Sequence, residues 1–263
     1  MLFVIVIDML RVINNKEKCI VMAVVSGGID STCYLALWLM RGCDAHVLYF
    51  DYGHKAKEKE LKSLRAVIED LNEIAKSRNW GRVIELRIVP MAFMKEFWAG
   101  TQLVDEGVEV KEMYEPSVVV PIRNVVMTTI ATAYAYTISS QKNVNVYVII
   151  GSQYNDLEPR EDTWEPRHPD CSPECLEILQ AALRVCHFRG DRRVEIWSPS
   201  REGLGKADLI KLCHDIIGDT VFKTWSCYIG LEKHCGVCES CRNRKRAFRE
   251  VGIEDKTEYL NTD

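Results

Sequence analysis

An excess of positive charge is the first thing this sequence lacks: 34 Lys and Arg stand against 38 Asp and Glu, a net charge of −4. That excludes a protein that works by being basic overall, though a local basic patch remains open. An evident membrane-spanning or export segment is also lacking. The longest suspect, Met1–Ile13, falls well short of the roughly 20 apolar residues a span requires and contains Asp8 and Arg11. It has no basic leader and no small-residue cleavage site. It reads as an extra strand or a packed arm, with Met22 as an alternative start. Internal repeats and low-complexity tracts are absent, and no regular cysteine framework of the secreted kind is visible. With 47% hydrophobic and 27% charged residues, the 263-residue chain has an ordinary globular composition and the length of one large domain, or of one domain with an appendage.

What is present alternates between strand and helix patterns. Cys19–Val25, Ala45–Phe50, Arg82–Val89, Val144–Ile150 and Val194–Trp197 read as short apolar strands. Helical patterns run to Met40 and over Lys55–Arg78, Arg123–Gln141, Pro173–His187 and Lys206–Ile217. In the second, Leu61, Leu64, Ile68, Leu71 and Ile74 share one face; the third is apolar almost throughout, which predicts a buried helix. The alternation predicts an α/β fold: a doubly wound, mostly parallel sheet with helices on both faces. Gly100–Pro121 and Ser152–Ser172 are loop-like. The second holds six acidic residues and two arginines, and begins where the fourth strand ends, at the edge where parallel sheets bind ligands.

Two motifs carry chemistry. Ser26-Gly27-Gly28-Ile29-Asp30-Ser31 follows the first strand and opens a helix. Its glycines let the backbone approach a ligand, and the N–H groups at the helix start form an anion cradle to which Ser26 and Ser31 can add hydroxyls. Asp30 is unexpected beside an anion; it is either a helix cap or a carboxylate holding a Mg2+ that rides on phosphates. No Lys-Ser/Thr follows a GxxxxG, so this is not a Walker loop; SGGxDS resembles the loop of PP-loop ATP pyrophosphatases. Near the other end, Cys227, Cys235, Cys238 and Cys241 have the spacing of a closed, structural Zn2+ site, an iron–sulfur cluster and a redox pair being the alternatives. The clustering points to a reducing, cytoplasmic setting. The other seven cysteines read as buried small hydrophobes. Lys223–Glu250 carries seven Lys or Arg against three Glu, read as the exposed face of a helix whose Ala247, Phe248 and Val251 pack inward.

With FDYGH (50–54), VPIRN (120–124), HPDC (168–171), GKADL (205–209), TWSCY (224–228) and HCGVCESC (234–241) in order between and around these motifs, the chain resembles the 7-cyano-7-deazaguanine synthase family, QueC, from about Val21 to Val251. The resemblance implies a PP-loop, HUP-like nucleotide domain over residues 20–220, a zinc-binding helical region over 221–263, and an unexplained extension over 1–19. It implies a ligase that converts 7-carboxy-7-deazaguanine and ammonia to the nitrile with ATP, through an adenylylated carboxylate, on the route to queuosine or archaeosine in tRNA. ATP contacts carry over to Val25, Ser26, Gly27, Gly28, Ile29, Asp30, Ser31, Thr32, Leu35, Asp51 and Tyr52. Asp30, Arg123 and Lys206 would be catalytic, the last two neutralising phosphate charge, and Arg123 and Asp170 would meet the substrate; Asp170 could instead cap the Pro173 helix. A homodimer is implied, and direct nucleic-acid binding is not. The rivals are a PP-loop enzyme that modifies tRNA directly, a related enzyme that activates a deazapurine for attachment to a protein, and a nucleotide sensor without turnover. Residues Ser152–Pro166 depart from the family by length and acidity.

Overall fold

The computed structural model describes residues 19–261; the expected N-terminal arm lies outside them. Five strands form one wholly parallel sheet: β1 (Ile20–Val24), β2 (Asp44–Asp51), β3 (Val83–Pro90), β4 (Val146–Ile150) and β5 (Val194–Trp197), in the order β3-β2-β1-β4-β5. Side chains alternate across a strand, so each strand feeds two cores. Val21, Ala23, Val47 and Ile149 point to one face; Ile20, Met22, Leu48 and Val148 point to the other. The strands read as unbroken apolar runs because both faces are covered.

The first face packs α1 (Ile29–Met40), α2 (Lys57–Arg78) and α5 (Lys206–Ile217), joined by Ala247 and Phe248 of α6 (Glu239–Glu250). The second packs α3 (Arg123–Lys142), Leu176 of α4 (Pro173–Cys186) and the segment around Trp98–Val120. Two expectations need correction here. The stretch Pro116–Lys142 is long and apolar enough to cross a membrane by length and composition, yet α3 lays Met127, Ala131, Ala135 and Ile138 on the sheet as a core helix does. Nor is α3 wholly buried: Ile130 is 37% exposed, so it covers the sheet with one face only. The scattered cysteines are not uniformly free small hydrophobes either. Cys19 is bonded to Cys43 and Cys33 to Cys213, the latter tying α1 to α5, while Cys186 is exposed. The four clustered cysteines, on which the reducing reading rested, are all free.

The chain leaves β1 towards β2 on one side, and β4 lies on the other side. The carboxyl ends of β1 and β4 thus flank the point where strand order reverses, the place where open α/β sheets hold ligands. Gly151, just past β4, has no room for a side chain: a Cβ there would sit 2.7 Å from the Ser31 nitrogen. That contact brings the start of α1 against the end of β4.

Candidate active site

Above this reversal lies a cavity of about 270 Å3. Its floor is the turn from β1 into α1. Gly27 takes φ +86°, and a Cβ there would lie 2.5 Å from the Glu60 carbonyl, so only glycine fits. Gly28 caps α1 with no side-chain hydrogen bond, leaving the first N–H groups of the helix to a ligand. The hydroxyls brace the turn: Ser26 Oγ accepts from the Gly28 N–H at 3.2 Å, and Ser31 Oγ accepts from the Ser26 N–H at 3.4 Å.

Asp30 does not cap the helix. Its Oδ2 accepts from Lys206 Nζ at 2.7 Å, and its Oδ1 is buried without a partner. Lys206 is the first residue of α5, and its backbone N–H is held by Asn155 Oδ1 at 3.0 Å. The acidic segment after β4 therefore sets this lysine in place. In the same segment Asp156 accepts from the Gln153 N–H at 3.0 Å and from Gln153 Nε2 at 2.7 Å. Burial, and then the neighbouring Asp30, push its carboxyl up to about 6.

On the opposite wall Arg123 begins α3, after Ile122 at φ +47°, a left-handed conformation rare for a β-branched residue. The Arg123 guanidinium donates to Tyr52 Oη at 3.0 Å, and the Tyr52 ring stacks on His54 at 4.3 Å. Asp170 accepts from the Asn124 backbone N–H at 3.0 Å and from its side-chain amide at 3.3 Å. Asp170 thus satisfies the start of α3, not of α4, which Ser172 caps by accepting from the Cys175 N–H at 3.0 Å. Burial, and then Arg123, hold the His168 imidazole down at about 4, so it is neutral near pH 7.

Of the residues singled out in the sequence, Val25, Ser26, Gly28, Ile29, Asp30, Ser31, Tyr52, Arg123, Asp170 and Lys206 line the cavity. Gly27, Thr32 and Leu35 lie behind it, Thr32 and Leu35 wholly buried. Asp51 turns away: it accepts from the Gly53 N–H at 3.0 Å and pairs with Lys57 at 3.4 Å. Asp156, Asn124, His168, Trp225, Tyr228 and Glu239 also line the cavity. All but Asp156 stood inside motifs without an assigned role, and Asp156 is one carboxylate among six in a loop whose folding no spacing reveals.

The four cysteines lie behind Trp225, Tyr228 and Glu239, their sequence neighbours in the cavity lining. Their sulfurs lie within 4.8 Å of one another and all four residues are buried. Backbone N–H groups point at them: Ile229 and Cys235 donate to Cys227 Sγ at 3.4 Å, and Cys238 to Cys235 Sγ at 3.3 Å. Gly236 at φ +84° makes the turn, under the carbonyl of Asn261. Four buried sulfurs converging on one point can hold a metal ion with soft-ligand preference. His234, inside the same motif, is not part of the set; its Nε2 accepts from the Ser226 N–H at 3.0 Å.

Residues 19–252 match the family described as queuosine biosynthesis protein QueC. The chain belongs to the QueC family, and is an enzyme. A 7-cyano-7-deazaguanine synthase of Caldicellulosiruptor saccharolyticus is 33% identical over 90% of this chain and 93% of its own length. A protein of the same name from Methanoculleus marisnigri is 31% identical over 93% and 99%. Among solved structures, a 4-thiouridine synthetase–RNA complex with bound ATP is 16% identical at TM-score 0.44, over 89% of this chain and 50% of that one, a likeness too loose to inform the site. In this QueC-family chain the arginine-rich run is the exposed face of a helix, as expected, with one arginine turned inward. Arg244 is fully buried, Arg242 pairs with Glu112, and Arg246 lies 3.5 Å from Glu158 and 3.9 Å from Glu250.

Proposed function

We propose that this enzyme makes 7-cyano-7-deazaguanine from 7-carboxy-7-deazaguanine, ammonia and ATP. The observation that carries the reading is the Asp30–Lys206 pair at the head of α1, both residues lining the cavity, with one aspartate oxygen buried and unsatisfied. An anion cradle alone could bind any phosphate. A cradle with a lysine and a free carboxylate oxygen beside it suits a triphosphate accompanied by a divalent cation. Asp30 and the nearby Asp156 would hold Mg2+, whose charge would offset that of the phosphates and lower the cost of ionising Asp156.

The SGGIDS turn would grip the β,γ-pyrophosphate, leaving the α-phosphorus to face the substrate carboxylate. A carboxylate oxygen attacks that phosphorus and pyrophosphate departs, with Lys206 and Arg123 stabilising the charge as it builds. Ammonia then attacks the acyl carbon; the carbon–oxygen bond breaks and AMP leaves with the substrate's oxygen. A second activation removes the oxygen of the resulting amide and yields the nitrile. Asp170, already held by Asn124, would accept from the amino and ring N–H groups of the deazaguanine. The four cysteines would hold Zn2+ in a closed site, without catalytic water. A homodimer in the cytoplasm is the expected working form.

The test is incubation with ATP, ammonium and 7-carboxy-7-deazaguanine carrying oxygen-18 in its carboxylate. We expect the nitrile by mass, with AMP and pyrophosphate as co-products and the label in AMP. Formation of ADP and orthophosphate would refute the adenylylation route even if the nitrile appeared.

A further inference from the structure

We propose that Arg244, on the helix that follows the cysteine cluster, is a positioning residue for the nucleotide loop. It acts through the three residues Thr224–Ser226. The proposal rests on the reading that the SGGIDS turn binds ATP, and it adds how that turn is held in shape.

The chain of contacts is continuous. Arg244 is fully buried. Its Nη1 donates to Thr224 Oγ1 at 2.8 Å, to Ser226 Oγ at 3.0 Å and to the Thr224 carbonyl at 3.3 Å. Its Nη2 reaches the Val221 carbonyl at 3.4 Å, and its Nε donates to Thr257 Oγ1 at 3.0 Å. Asp255, 3.6 Å away, supplies the countercharge, and the Phe248 ring lies 5.2 Å beneath the guanidinium. One planar fork thus fixes the residues on both sides of Trp225. Trp225 in turn donates its backbone N–H to the Gly27 carbonyl at 2.9 Å, and its ring packs on His234 at 4.3 Å.

The Gly27 carbonyl matters because it belongs to the peptide plane that carries the Gly28 N–H. In a trans peptide the carbonyl and the following N–H point in opposite directions. Holding the Gly27 oxygen on Trp225 therefore aims the Gly28 N–H to the other side, where it meets Ser26 Oγ beside the cavity. Glycine at both positions leaves that plane free to rotate unless something outside the turn holds it. Ser63 Oγ also touches the Gly27 oxygen, at 3.3 Å, but divides its one hydrogen between that oxygen and the Lys223 carbonyl. A lysine at 244 carries its charge on a single nitrogen and cannot reach acceptors on both sides of Trp225 in one plane.

The test compares three variants by calorimetric titration with α,β-methylene-ATP and Mg2+, together with thermal unfolding and metal content. Arg244→Lys and Thr224→Val should weaken nucleotide binding about tenfold, the effect of one well-placed hydrogen bond to a charged ligand. Metal content should stay at the wild-type level. Thr257→Val, which removes only the acceptor on the far side of the guanidinium, should lower the unfolding temperature and leave nucleotide affinity unchanged. If Arg244→Lys does not fold, Thr224→Val decides alone. Affinities within twofold of wild type in the variants that fold would overturn the proposal, since a purely structural role moves unfolding temperature in all three and affinity in none. A wild-type protein that does not bind the nucleotide would instead overturn the reading of the loop.

Discussion

Asp156→Asn is a substitution whose effect changes sign with pH. Burial and the adjacent Asp30 raise the Asp156 carboxyl from 3.8 to about 6. A raised folded-state pKa means that the fold favours the protonated form. The associated stability is fully present below about pH 4 and is lost as pH rises through 6. Each pH unit of displacement is worth 1.36 kcal/mol, so at pH 7.5 the ionised side chain costs the native state at most about 3 kcal/mol. Asparagine removes that charge and keeps the shape. It can still accept from Gln153 Nε2, but it loses the bond from the Gln153 N–H, at a cost of about 1 kcal/mol. The variant should therefore be more stable than wild type by about 1–2 kcal/mol at pH 7.5 and less stable by about 1 kcal/mol at pH 4, without nucleotide. Urea unfolding at intervals from pH 4 to 8 reads both numbers. A difference between the two proteins that does not change with pH would refute the reasoning. Added Mg2+ and nucleotide should stabilise wild type more than the variant, if Asp156 shares the cation with Asp30.

Three further outcomes follow from the site. The protein should contain one Zn2+ per chain, and Cys238→Ser should lose it and destabilise the C-terminal region; elemental analysis finding iron, with visible absorbance, would contradict this. Asp30→Ala should abolish most turnover while leaving circular dichroism unchanged, because Gly27 and Gly28 shape the turn; near-normal rates would show that the carboxylate takes no part. Gly27→Ala should destabilise the protein by about 2 kcal/mol or more and weaken nucleotide binding, since it forces a Cβ to 2.5 Å from the Glu60 carbonyl; a well-folded variant that binds ATP normally would mean that the turn tolerates another path.

The strands and long helices were legible because each satisfies a local rule. β1 and β4 are unbroken apolar runs and β2 is apolar over Val47–Phe50, as a sheet covered on both faces requires, and α2 repeats its apolar residues at helical spacing. α3 misled for a related reason. Its small polar residues fall on both faces, Thr128, Thr132 and Ser139 inside and Thr137 and Ser140 outside, so composition does not tell the two faces apart. The cysteine pairs were not legible at all. Cys33 and Cys213 are 180 residues apart in sequence and meet only because α1 and α5 pack side by side.

The same distinction separates the parts of the site. The SGGIDS turn and the four cysteines are contiguous or nearly so, and their chemistry follows from spacing. What joins them does not. Nothing in RNRKR marks its middle arginine as the buried one: Arg242 and Arg246 face outward while Arg244 lies inside, because it shares the inner face of α6 with Cys241 and Phe248, three and four residues away. A charge count cannot make that distinction, and treating the run as one basic surface hides it. The consequence is chemical. The region around the four cysteines does not hang beside the sheet as a separate staple. Trp225, Tyr228 and Glu239 from that region line the same cavity as Asp30 and Lys206. Removing a metal held by the four cysteines should therefore be felt at the SGGIDS turn before it is felt in the sheet, through the Trp225–Gly27 hydrogen bond.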